Sequence, residues 1–214
     1  MAGKMKVSKS TILIFFLIFF LNCKKEESVN ILKLTELENY NTKKTKINDS
    51  ITKINGENQV YTLEGNINTN DNSKQDWWKI KNKVNGEKYE IEYIFLDKQI
   101  ENQIKIYHGN GKLYKEVSKF YAVTSKKDGL KFDFHFPYSK FETYNVNFDY
   151  TISDTIKRKI TKEGKLNCIK IDDYYSCFIP IIQNESVAGI VTNFSNFKEK
   201  DSVTLAADRM FVKF

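Results

Sequence analysis

The chain carries few side chains suited to proton transfer or nucleophilic attack: its 214 residues include only two histidines, His108 and His135. Neither stands in a motif that would supply the positioned partner a working base needs. His135 alternates with Phe134 and Phe136, so it falls with Asp133 on the polar, solvated face of a strand, while His108 opens a His-Gly-Asn-Gly turn. The adjacent carboxylates Asp172-Asp173 read as an acid/base pair or as a hairpin tip, and turn chemistry favours the tip. Asn68-Thr69-Asn70-Asp71-Asn72 alternates oxygen donors as a calcium loop does, yet lacks the central glycine and the closing bidentate glutamate, so it reads as an Asn-rich loop. No nucleophile elbow, zinc-ligand spacing, P-loop or dinucleotide fingerprint occurs. The residue chemistry therefore points away from an enzyme and calls for no metal or cofactor.

The thiols and indoles say more. A hairpin turning on Asp172-Asp173 sets Ile171 opposite Tyr174 and, three rungs further, Cys168 opposite Cys177 on a non-hydrogen-bonded rung, where side chains approach most closely. An oxidising compartment would join them as a disulfide; the alternative is two buried free thiols. Trp77-Trp78 points one indole to each face of a strand, so one is free to stack on a sugar or anchor a protein partner unless the strand is covered on both sides. With Tyr107 and Tyr114 on neighbouring hairpins, Trp77 and Trp78 form the expected partner-binding set.

Cys23 belongs to a different pattern. Three lysines lie within Met1 to Lys9, an unbroken apolar run covers Ile12 to Leu21, and Cys23 follows Asn22. The run is shorter than the ~20 residues that cross a bilayer, and the stretch resembles a bacterial lipoprotein signal peptide, although Asn22 stands where Gly, Ala or Ser is usual. The resemblance implies cleavage before Cys23 and acylation of its sulfur with membrane anchoring, at about 0.8 kcal/mol per buried methylene. Lys24-Lys25-Glu26-Glu27 resembles the lysine-plus-acidic-pair signal that sends some lipoproteins to the outer face of the outer membrane; its plain reading is a charged start to a tether.

Loss of residues 1–22 removes Lys4, Lys6 and Lys9 from the formal charge of +7. The remaining lysines are scattered among glutamates, which excludes a nucleic-acid footprint. Sixteen phenylalanines and twelve tyrosines against two prolines indicate strands, and the fold expected is all-β. Residues 23–58 read as a lipidated tether: ~35 residues of flexible coil reach roughly 30 Å. Residues 59–126 read as an antiparallel β-meander, with Asn85-Gly86 and Asn110-Gly111 as tight hairpin turns. Residues 127–214 alternate over longer strands, with Phe132, Phe134 and Phe136 on one face and Tyr144, Val146, Phe148 and Tyr150 on another, as in a β-sandwich with immunoglobulin-like character. Met210-Phe211-Val212-Lys213-Phe214 then reads as a closing sandwich strand, not as the last strand of a membrane barrel.

The two hairpins also match each other. Lys79-Ile80-Lys81 through Asn85-Gly86-Glu87-Lys88-Tyr89 parallels Lys105-Ile106-Tyr107 through Asn110-Gly111-Lys112-Leu113-Tyr114. The pattern resembles the MORN-type repeats of the YwqK-like antitoxin family over about Trp77 to Tyr121, departing from it where Asp76 replaces a glycine before the first tryptophan. The residues alone suggest a lipid-anchored outer-membrane or cell-surface protein that binds a protein or glycan. The repeat resemblance implies instead an immunity or antitoxin-like role against a toxin in the envelope. An envelope hydrolase is the remaining alternative.

Overall fold

Short alternating segments broken by Asn, Gly and Asp turns make this an all-β chain of several antiparallel sheets. The computed structural model describes residues 30–199 and 202–214. Cys23 and Lys24 to Glu27 lie outside the described residues. The strands all belong to Leu34–Phe214, a unit separate from Met1–Lys33. Among the described residues no helix is long and apolar enough to cross a membrane.

Six strands follow one another as a meander: β1 Asn41–Lys46, β2 Ile51–Glu57, β3 Tyr61–Asn68, β4 Lys74–Asn82, β5 Lys88–Phe95 and β6 Gln99–Tyr107. The sheet begins earlier than the sequence suggests. Residues 41–57, expected as tether, are its first two strands; β1 (Asn-Thr-Lys-Lys-Thr-Lys) is an edge strand whose lysines hide any apolar alternation. One face is apolar, with Ile54, Leu63, Ile67, Trp78, Ile80, Tyr89, Ile91 and Tyr93 all buried. Part of its cover comes from the chain just before β1: the Thr35 hydroxyl is 2.7 Å from the Tyr93 hydroxyl and accepts from Lys74 Nζ at 2.6 Å. That ammonium also sits over the Trp78 and Tyr93 rings, and burial lowers its pKa despite nearby Glu101 and Glu36.

The Asn85-Gly86 turn is wider than a two-residue hairpin. Asn82 closes it on Glu87, and the Asn82 carboxamide accepts from the Val84 and Asn85 amides, leaving Gly86 at φ 78°. The Asn110-Gly111 turn, with Gly111 at φ 82°, forms as well, but its return is two isolated bridges, Leu113 to Tyr107 and Lys119 to Ile104, with a 3-10 turn at Lys115–Val117 between them. After this turn no strand forms until Phe120.

That strand, β7 Phe120–Lys126, is not one of the six strands of the meander. It pairs β8 Gly129–His135 in a sheet of order β11-β12-β8-β7, where β11 is Ile169–Ile171 and β12 is Tyr174–Pro180. The other four-stranded sheet has order β10-β9-β13-β14, with β9 Glu142–Asp154, β10 Lys159–Asn167, β13 Glu185–Glu199 and β14 Ser202–Lys213. Phe132, Phe134 and Ile179 from the first sheet, with Phe136 just after β8, share one core with Val146, Phe148, Tyr150, Val187, Val191, Met210 and Val212 from the second. Tyr144 leaves the expected apolar series. Phe194 faces Asn145 and Ser195 faces Thr143, so Tyr144 is the extra residue of a β-bulge and turns outward. Met210 and Val212 of β14 are each fully buried in that shared core.

The disulfide is present. Cys168 and Cys177 are bonded with their Cα atoms 4.9 Å apart, and the pairs Ile171 with Tyr174 and Ile169 with Ser176 put them in the expected register. Asp172 adopts φ 48° at the turn, and Asp173 lies 3.6 Å from Lys115 Nζ, which is turn and surface chemistry.

Candidate binding face

The face of the meander opposite Trp78 is polar, and its register builds an ordered array. One row crosses all six strands through successive partners: Lys43, Asn55, Glu64, Lys79, Glu90 and Lys105. Two residues along the strands, Asn41, Glu57, Thr62, Lys81, Lys88 and Tyr107 make a second row. Cross-strand neighbours stand about 5 Å apart, so the alternation from Glu64 to Lys105 puts each charge beside an opposite one. An open groove of about 690 Å³ runs over these rows from β1 to β5, with Lys43, Glu64, Lys79, Lys81, Lys88 and Glu90 in its lining.

The four aromatic residues singled out from sequence do not share one face. Trp78 is not on this face: it is 0% exposed, packs edge-on to Tyr93, and donates its indole N–H to the Asn66 carbonyl at 3.0 Å. It lies across Gly65, where an added Cβ would meet the ring at 2.3 Å, so a glycine makes room for it. Trp77 takes the opposite, polar face, half-buried, with Lys105 Nζ 4.6 Å over its ring and Glu92 opposite on β5. Tyr107 ends the second row and donates to Glu90 at 3.2 Å; burial, helped by that carboxylate, raises its phenol pKa. Tyr114 lies beyond the sheet, partly exposed and stacked on His108 at 4.5 Å. The structure thus puts Trp77 and Tyr107 on one face with the charge rows, sets Tyr114 at its end and removes Trp78 into the core.

The charge rows were invisible in the sequence, because a lysine on one strand meets a glutamate on another only through register. Lysines at alternate positions of β4 (Lys79, Lys81) and glutamates at alternate positions of β5 (Glu90, Glu92) were the one available signal.

His135 is a correction. It is 6% exposed, not solvated: its ring stacks on Phe120 at 4.2 Å, Tyr174 lies 5.4 Å away, and its Nδ1 is buried without a hydrogen-bond partner. Burial first and Lys115 second lower its pKa, against the opposing pull of Asp173 and Asp133. Residues 68–72 form a self-capped loop, in which Asn68 accepts from the Asn70 amide and Asp71 from Ser73. Among the described residues no group of three or more His, Cys, Asp or Glu side chains could hold a metal ion.

No protein-family model matches the chain, and no curated protein matches its sequence.

Proposed function

We propose that this chain is a lipid-anchored envelope protein, held through Cys23 and exported under Lys24, Lys25, Glu26 and Glu27, that works by binding a partner on the polar face of its meander. The observation that carries the reading is the row Lys43, Asn55, Glu64, Lys79, Glu90 and Lys105. A fixed pattern of alternating charges on a sheet specifies a protein surface of opposite pattern better than a neutral glycan, and Trp77 and Tyr107 add the rigid amphipathic contacts that dominate such interfaces. The strand orders β11-β12-β8-β7 and β10-β9-β13-β14 support reading the sandwich as immunoglobulin-like. In that reading β7, β8, β12 and β11 stand as A, B, E and D, and β9, β13 and β14 as C, F and G, with β10 an added edge strand.

Photocrosslinking tests the reading. A crosslinker at Trp77 or Lys79 of the intact chain in its own cells should give a discrete protein adduct. Reversal of Glu64 and Glu90 to Lys should abolish it, and a crosslinker at Lys162 on β10 should give none. Equal adducts from both positions would overturn it. Acyl label on the intact chain that persists in Cys23→Ala would overturn the anchor.

A second reading, capture of a toxin in the envelope, is favoured by one further observation. The turn at Asn85-Gly86 packs on the turn at His108-Gly109, where a Cβ on Gly109 would meet the Asn85 carbonyl at 2.2 Å. Stacked Asn-Gly turns support the resemblance to MORN-type repeats. A toxin as the crosslinked protein, or a toxin gene beside this one, distinguishes this reading from the first.

A further inference from the structure

β14 is the edge strand of its sheet, and the two halves of that edge are treated differently. Toward the C-terminus, side chains of Lys119 just before β7, of β6 and of β7 occupy it at two-residue spacing. Lys119 Nζ donates to the Arg209 carbonyl at 3.3 Å, the Asn102 carboxamide bonds both backbone groups of Phe211, and the Tyr121 hydroxyl meets the N–H and C=O of Lys213. An antiparallel ladder turns alternate residues outward, so Ala207, Leu205 and Val203 present their N–H and C=O groups along the same edge. No hydrogen bond meets these groups among the described residues.

The side chains there leave the edge undefended. Among the other edges, β1 has Lys43, Lys44 and Lys46, β10 has Lys159, Lys162 and Lys165, β6 has Glu101 and Lys105, β11 is three residues long, and β7 ends on Lys126 with its Tyr121 amide already met by Gln103. Val203-Thr204-Leu205-Ala206-Ala207 has no charge, and Val203 and Leu205 are 57% and 71% exposed. Tyr144, thrown outward by its bulge and 58% exposed, adds apolar surface beside them through its ring contact with Phe194, whose partner on β14 is Ala207. Open edges of this kind pair with other strands, and natural proteins usually block them with lysine.

We propose that Val203–Ala207 pairs with the same segment of a second copy of this chain, two β14 strands lying antiparallel about a twofold axis and joining two four-stranded sheets into one of eight. Charge decides the occupant. An isologous contact opposes each segment to itself, which is tolerated only where the segment has no charge to repel its own copy, and this edge meets that condition where β1 and β10 do not. A charged partner finds nothing complementary on it. The exposed side chains of Val203, Leu205 and Tyr144 from each copy supply the apolar area that a backbone ladder alone lacks.

Sedimentation of the full chain in mild detergent should give a concentration-dependent dimer. Leu205→Lys should weaken dimerisation about tenfold or more by opposing like charges across the axis, and Val203→Lys should weaken it by placing an ammonium opposite Ala207 in the uncharged ladder, while Ile169→Lys on β11 leaves it intact. Hydrogen exchange should show Val203, Leu205 and Ala207 amides protected at high concentration and unprotected on dilution. A chain monomeric at all concentrations, or a dimer that both β14 variants leave unchanged, overturns the proposal.

Discussion

The Asn102 carboxamide is hydrogen-bonded to both backbone groups of Phe211, accepting from its N–H at 2.6 Å and donating to its carbonyl at 2.8 Å. A side chain of β6 thereby stands in for a strand at the edge of β14 and joins the meander to the sandwich. Asn102 is 2% exposed and also donates to Glu92 at 2.7 Å. Asn102→Leu should cost about 1–3 kcal/mol in denaturant unfolding, because two backbone groups lose their partners at a buried contact. Asn102→Asp should be worse, since a carboxylate can serve the Phe211 N–H but repels its carbonyl and Glu92. If both variants unfold at the wild-type midpoint, the contact does not hold the two parts together.

The paired indoles at 77 and 78 offer a second measurement. Trp78→Ala should lose about 3–5 kcal/mol of stability, the cost of emptying a fully buried aromatic site, whereas Trp77→Ala should stay within about 1 kcal/mol of wild type. Gly65→Ala should resemble the first, since its Cβ would enter the Trp78 ring. Equal losses from the two tryptophans would contradict the facing assigned to them.

How far these features were legible depends on whether a signal was local. Phe132, Phe134 and Phe136 alternate without interruption, so their core face and the all-β class could be read directly. The Cys168–Cys177 register followed from one turn, a count of a few residues. β1 was missed because a lysine-rich edge strand has its hydrogen bonds on one side only and buries almost nothing, which erases the period-two pattern. Trp78 and His135 were misjudged for a common reason. Period two assigns a residue to a face but cannot say whether that face is covered, and Trp78 is covered across Gly65 while His135 lies between Phe120 and Tyr174. The charge rows of the meander depend on six registers at once and lay beyond any local reading.

His135 sets a pH dependence whose direction follows from its surroundings. The groups facing it are Lys115 from the 3-10 turn, Asp173 from the hairpin tip and Asp133 from its own strand, and burial with Lys115 outweighs the carboxylates. Its folded pKa therefore lies below the ordinary 6.5, and in the interval between the two values the unfolded chain binds more protons. Stability contributed by this group is fully present above pH 6.5 and is lost as pH falls through that interval. His135→Phe should flatten the slope just below 6.5 while keeping the stack on Phe120, and it should not cost stability at neutral pH, because the buried Nδ1 has no partner to lose. Unfolding titrations with the same acid slope in both proteins would remove His135 as its source.

The disulfide joins more than two neighbouring rungs of a hairpin. The amide of Cys168 donates to the Val146 carbonyl of β9 at 2.8 Å, so the backbone there is still held by the β9 sheet, while the next residue, Ile169, already pairs with Ser176 of β12 in the other. Cys168 is thus the corner at which the chain changes sheets, and its sulfur bonds Cys177, whose backbone pairs with Phe132 and whose side chain belongs to the shared core. Cross-linking residues so close in sequence contributes roughly 2–3 kcal/mol by limiting the unfolded chain. The joint Cys168→Ala, Cys177→Ala variant should lose about that amount, and reduced wild-type protein should match it. β11 has three residues and one neighbouring strand, so its amides should show the largest gain in hydrogen exchange on reduction, ahead of β9 and β13. If exchange rises evenly across both sheets instead, the bond acts on the whole sandwich and not on the corner.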